Sequence, residues 1–199
     1  MDLLHTVAIG SGLAWASGMR LYGVVFFAGL LGRIGVIALP GHLGALTHPL
    51  VIGVAGVLFI TEFLADKVPG VDSLWDALHT FIRVPAGALL AAASLGLDAD
   101  PAWLVAAGLA GGALAGTSHF AKAGTRALIN TSPEPFSNWA ASFGEDLGVA
   151  GMVWLAFAYP AAFLVTLVAA VVVAVWMISR LWRMITGIFR RHSLRPAAT

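Results

Sequence analysis

Residues 161–178, AAFLVTLVAAVVVAVWMI, carry no charged side chain. As a helix rising about 1.5 Å per residue, the run extends about 27 Å, close to the roughly 30 Å hydrocarbon thickness of a bilayer. Pro160 precedes it, a residue suited to the first turn of a helix. Arg180, Arg183, Arg190, Arg191 and Arg195 follow, and no Asp or Glu occurs after Asp146. A span with a basic flank predicts a membrane helix whose C-terminal tail, residues 180–199, lies in the cytoplasm. Because the tail directly follows the span, anionic lipid headgroups are its expected partner, and nucleic acid is not.

The chain on either side has the same character. Its 199 residues are 59% hydrophobic and 11% charged, with a mean hydropathy of +0.90, which is more apolar surface than a water-soluble domain can hide. Runs long enough to cross a bilayer recur between Pro, Gly and charged punctuation, at about 4–31, 49–67, 73–97, 102–129 and 136–159. The expected fold is all-α: a polytopic transmembrane helical bundle of about six spans in one domain, residues 1–179. Gly10-Ser11-Gly12 and Ser17-Gly18 interrupt the first span and leave open whether it is one helix or two. The apolar stretch Ile34–Leu39 within the connection Arg33–His48 points to a partly re-entrant segment. Val68-Pro69-Gly70 terminates the second span, after which Asp72 or Ser73 can cap the third. The N-terminus has no cationic leader and reads as the start of a retained span. The absence of cysteine excludes disulfides, thiolate metal sites and cysteine nucleophiles.

Counting back from a cytoplasmic tail puts both termini on the cytoplasmic side, with the connections at Pro69 and Pro133 on the same side; Arg33 alone disagrees. The second and third spans resemble the fourth and fifth. Thr61-Glu62-Phe63 lies opposite Ser118-His119-Phe120, and Ser73, Trp75, Ala77, Ala86 and Gly87 lie opposite Ser137, Trp139, Ala141, Ala150 and Gly151. This predicts a parallel two-helix repeat, hairpins about 49–97 and 102–159, of a kind found in transporters. Small residues at 108, 112 and 116 and at 10, 14 and 18 predict close helix packing, within a subunit or in a homo-oligomer. The seven tryptophans are expected mostly at span ends, as an interfacial belt.

Charged residues inside these spans are the candidates for function. Arg83 and Glu145-Asp146 fall roughly 14 to 17 Å into their helices, near the midplane, and Arg20 is similarly deep if its span is continuous. Each such charge costs at least about 2.5 kcal/mol on insertion scales, so each must face the protein interior or water. Glu62, Asp66, Lys122 and Arg126 lie nearer the inner face, and His79 and His119 can titrate. The Glu62/Asp66 and Lys122/Arg126 pairs each share a helix face at four-residue spacing. The carboxylate pair can hold a hard cation such as Mg²⁺, take up a proton, or simply neutralise the Lys122/Arg126 pair across the repeat axis. No P-loop, dinucleotide fingerprint or nucleophile elbow is present, so no cofactor and no enzymatic activity are expected.

The stretches EFLADKVPGVDSLWDALH, residues 62–79, and NTSPEPFSNW, residues 130–139, followed by Glu145-Asp146, resemble a bacterial membrane-protein family catalogued as domain of unknown function 4126. The similarity extends from Ala16-Ser17-Gly18-Met19-Arg20 to the fifth span. It implies a small polytopic protein of the bacterial cytoplasmic (inner) membrane and supplies no activity. The first stretch is also similar to the Glu-x-Gly-Asp-Lys element of cation/proton exchangers. Here the acids are four apart, the glycine is replaced and His119 stands where a second acid would fall, which argues against exchange by that mechanism.

The function expected from these residues is that of a small transporter or channel for an ion or small polar solute. Arg20, Arg83, Glu145 and Asp146 would line its pathway at depth, with Glu62, Asp66, His79, His119, Lys122 and Arg126 completing it. The alternative is a non-transporting scaffold or partner-binding protein in which buried ion pairs only lock the packing. A third reading is a lipid-headgroup-binding or lipid-modifying protein using Arg83, His119 and Lys122, with no nucleophile or metal to accompany them.

Overall fold

A computed structural model describes residues 2–96, 98–131 and 136–193. The chain folds as α1 (Leu3–Arg33), α2 (Pro49–Ala65), α3 (Val71–Leu95), α4 (Pro101–Ile129), α5 (Phe136–Ala158) and α6 (Pro160–Ser193). A short 3₁₀ helix, Gly41–Thr47, precedes α2, and no strand occurs among the described residues. Prolines open α2 and α4, where the missing N–H has no intrahelical partner to lose. The residues before them cap the helices: His48 Nδ1 accepts from the Leu50 N–H and Asp100 Oδ1 from that of Ala102. Between α2 and α3 the chain turns at Gly70, whose φ of 84° favours glycine. Because α3 already starts at Val71, neither Asp72 nor Ser73 is its cap. Asp72 lies inside the first turn, buried, accepting from the Gly70 and Ser73 N–H groups.

Helices α1, α3, α4 and α6 are each long and apolar enough to cross a membrane. The 3₁₀ helix and α2, bent by 73° at their junction, make a fifth candidate if they form one broken span. The chain thus has the build of a multi-pass helical membrane protein. The basic tail continues as part of α6 through Ser193; residues 194–199, with Arg195, lie outside the described residues, as does the expected connection around Pro133.

Helix α1 sits at the centre, packed against all five of the others. The most extensive contact elsewhere is between α3 and α4, whereas α2 meets α3, and α4 meets α5, at few residues. The two members of each expected hairpin are therefore joined through α1 more than through each other. Small residues bring the central helices together. Gly18 abuts the Ala115 carbonyl and Ser118 Oγ, Gly87 and Gly111 face each other, and Gly10 meets Ser94. The close approach on α4 is thus made by Gly111, outside the stripe 108/112/116, whose members lie at ordinary contact distance or beyond from α3. Apolar packing completes the bundle, with Ile9, Leu13, Val24, Leu43 and Leu90 in one cluster and Trp15, Phe163 and Leu167 in another. Trp15 departs from the expected aromatic belt because it is buried under α6; Trp103, Trp139, Trp154, Trp176 and Trp182 are exposed.

A side chain added at the α1–α4 seam has nowhere to go, whereas Gly148 on α5 faces open space. Gly18→Val should cost about 1–3 kcal/mol through overpacking and lower the thermal unfolding midpoint in detergent. Gly148→Val should leave it unchanged. Equal effects of the two substitutions would contradict this packing.

Candidate functional site

The buried face of α3 reads Asp72, Asp76, His79 and Arg83 at the three- and four-residue spacing that aligns side chains along a helix. Helix α4 answers with Ser118, His119, Lys122 and Arg126, α2 with Glu62 and its C-cap Asp66, and α5 with Asn138 and Ser142. From α1 comes Arg20, at which the backbone leaves the helical region (φ −143°, ψ 69°). Carbonyl groups around this break are taken by side chains from neighbouring helices. Trp15 O accepts from Ser118 Oγ at 2.7 Å, Gly18 O from Arg83 at 3.3 Å and Met19 O from Lys122 at 3.1 Å. A break in a membrane helix is tolerated where other groups supply its hydrogen bonds in this way.

The charges join into one network. Arg20 lies 2.5 Å from Asp66 and 2.7 Å from Asp146. Lys122 bonds Asp66 at 2.8 Å and approaches Asp76 at 3.4 Å and Glu145 at 3.8 Å. Arg126 grips Glu145 with two parallel bonds, Nε to Oε1 at 3.0 Å and Nη2 to Oε2 at 2.7 Å, and also donates to Asn138 Oδ1 and the Asp66 carbonyl. Arg83 stands between Glu62 and Asp76, 2.7 Å from each. Such fork-shaped guanidinium contacts are the strongest pairing available to a buried carboxylate.

Both histidines are joined to the network by hydrogen bonds. Arg83 donates to His119 Nδ1 at 3.1 Å, so the ring proton is on Nε2, which donates to Thr80 Oγ1 at 2.7 Å. His79 gives its Nδ1 proton to the Trp75 carbonyl at 2.8 Å and accepts from Tyr22 at 3.1 Å, while stacking on the Trp75 ring. At the edge, Lys67 sits 3.1 Å from the centroid of the Phe63 ring and donates to Ser142 Oγ. That same oxygen accepts from Arg20 at 2.9 Å.

All ten candidate residues lie in or against this network, but not in the expected pairs. Glu62 and Asp66 do not act as a doubled carboxylate: the first belongs to Arg83, the second to Arg20 and Lys122. Lys122 meets Asp66, whereas Arg126 turns to Glu145. The Mg²⁺ reading of Glu62/Asp66 loses its basis, because each carboxylate is committed to a cation and no three His, Asp or Glu residues come together as a ligand set among the described residues. Asp72, Asp76, Asn138, Ser142 and Tyr22 were not anticipated. The periodic face Asp72-Asp76-His79-Arg83 was the available signal, obscured by treating Asp72 as a cap.

The network occupies the half of the bundle where α2 turns into α3, reaching about 18 Å along α3 from its first residue. Beyond Arg83, the α1–α3–α4 contact continues through Gly87, Gly111, Ala91 and Gly10 without charge. A cleft of about 370 Å³ between α1, α4, α5 and α6 runs past Trp15, Met19, Thr125 and Met177 to Lys122 and Glu145. Asp146 is 26% exposed, against 0–2% for the four cations.

Removing one partner of a buried pair costs more than removing both, because the survivor is left charged and unpaired. Arg126→Met should therefore destabilise by about 3–5 kcal/mol. Adding Glu145→Gln should recover part of that loss, measured by unfolding in detergent. A double variant no more stable than the single one would contradict the pairing.

A family model described as a domain of unknown function, DUF4126, matches residues 7–180. No curated protein and no solved structure matches the chain.

Proposed function

We propose that this chain, which belongs to the DUF4126 family, is a small transporter or channel for an ion or small polar solute and has no enzymatic activity. The observation that carries this reading is the mixed-charge network buried beside the break in α1. Ionisable groups at membrane depth are costly and mark ion and substrate pathways. Discontinuous helices whose freed carbonyls face such groups form the binding sites of many transporters. The cleft at Lys122 and Glu145 and the partly exposed Asp146 give the network two approaches. The small-residue seam on the other side of Arg83 acts as the closed gate.

In this reading six spans cross a bacterial inner membrane, with the 3₁₀ helix and α2 as one broken span and α5 as the fifth. Both termini and the α2–α3 turn face the cytoplasm, so the network opens inward. The α2–α3 and α4–α5 pairs are diverged copies of one hairpin. The basic end of α6 rests on anionic headgroups, and the exposed glycines of α5 leave room for a second copy of the chain.

A second reading has an observation of its own. Each of the four buried cations is paired with at least one carboxylate, as a network that only locks a scaffold would require. Reconstitution separates the two. In liposomes carrying wild type, at least one inorganic ion or small polar solute should cross faster than in empty vesicles. Arg83→Ala and Glu145→Gln should reduce that flux tenfold or more per folded molecule, with Arg83→Ala also losing stability because Glu62 and Asp76 are left without it. If folded variants match wild type for every solute it moves, these residues do not form the pathway. If wild type moves nothing, the scaffold reading stands.

A further inference from the structure

Two buried carboxylates of the network share one guanidinium. Taken over the whole network, the acids among the described residues outnumber the cations by one only when Asp146 is counted, and Asp146 reaches solvent. The imbalance that burial penalises is a local one. A buried carboxylate that no cation fully compensates costs more than its neutralisation.

Its location follows from the pairing. Asp66 lies between two cations, Arg20 and Lys122, and Glu145 is held bidentately by Arg126. Asp146 pairs with Arg20 and reaches solvent. The remaining two acids, Glu62 and Asp76, share Arg83, each at 2.7 Å through one oxygen. The second oxygen of each, Glu62 Oε2 and Asp76 Oδ2, is buried and has no hydrogen-bond partner, in residues 0% and 1% exposed; Asp66 Oδ1 shares that condition, but its carboxylate faces two cations of its own. From every helix around them the facing groups are Arg20 and Tyr22 on α1, Asp66 on α2, His79 on α3, and His119 and Lys122 on α4. Of these, Lys122 comes within 3.4 Å of Asp76 but bonds Asp66 more closely. His119 is a neutral acceptor from Arg83 and adds no positive charge.

We infer that the Glu62–Arg83–Asp76 triad holds one exchangeable proton, shared between the two carboxyl groups. A metal ion would need a ligand set that the described residues do not form, whereas a proton needs no coordination shell. This rests on the transport reading only where the proton is also the coupling ion; its presence in the triad does not.

Infrared spectroscopy of the full-length protein in nanodiscs at neutral pH tests it. Wild type should show the C=O stretch of a protonated carboxyl group, shifted in D₂O. The band should vanish in Glu62→Gln or in Asp76→Asn and persist in Asp72→Asn. If neither of the first two variants folds, wild type grown with ¹³C-labelled glutamate or aspartate assigns the band without mutation. A spectrum without such a band, a band that neither variant nor either label moves, or stabilisation by Na⁺ or K⁺ in its place overturns the inference. Proton flux into pyranine-loaded liposomes then decides the coupling. Flux lost in the variants supports it, and a band without flux keeps the proton site while refuting its role in transport.

Discussion

Four guanidinium and ammonium groups inside an apolar bundle set the terms for everything else in this protein. None can be left without a counter-charge, and although Arg83 also pairs with Asp76 on its own helix, each draws a carboxylate from another helix to within bonding distance. The result ties α1 to α2 and α5 through Arg20, α2 to α3 through Arg83, α2 to α4 through Lys122, and α4 to α5 through Arg126. Two of these links are ones that packing supplies sparsely, since α2 with α3 and α4 with α5 touch at few other residues, whereas α1 packs broadly on α2 and α5. In lipid, where no hydrophobic force drives helices together, polar bonds of this kind and close small-residue contact are what remain to specify an arrangement.

The break at Arg20 follows from the same constraint. A straight α1 would keep its carbonyl groups within its own hydrogen-bond ladder. Opened at Arg20, it presents Gly18 O and Met19 O to Arg83 and Lys122, giving each cation an acceptor besides its carboxylates. The two halves of the bundle therefore differ in kind: one is held by charge around a broken helix, the other by Gly10, Gly87 and Gly111 in close contact. A polar half that stops at a sealed small-residue seam is the asymmetry expected of a pathway closed at one end.

Much of this was legible in the residues. Helix boundaries followed from Pro49, Pro160 and the Pro69-Gly70 turn, because those residues act locally. Every candidate charge proved to lie in or against one network, because intramembrane charge has few places to go. Partner choice was not legible. Whether Arg126 meets Asp66 or Glu145 depends on the rotation of α4 and on α1 standing between the helices, which helix periodicity alone does not convey. Asp76 escaped notice because a lone acid near a helix start reads as solvated until the whole face 72-76-79-83 is considered. The break at Arg20 had only indirect signs in Ser17-Gly18, and the closest α3–α4 contact fell on Gly111, one position off the regular stripe.

In the proposed transporter this network is in contact with water through the membrane's inner half. The natural absence of cysteine allows single cysteines to be read without background, and a thiol reacts with a charged, membrane-impermeant reagent only where water allows the thiolate to form. Ala141→Cys and Thr125→Cys, on the cleft wall, should be labelled in inverted membrane vesicles and protected in right-side-out ones, with Leu147→Cys on the exposed apolar face unreactive in both. Failure of both Ala141→Cys and Thr125→Cys to react from either side would show a sealed network and contradict the account.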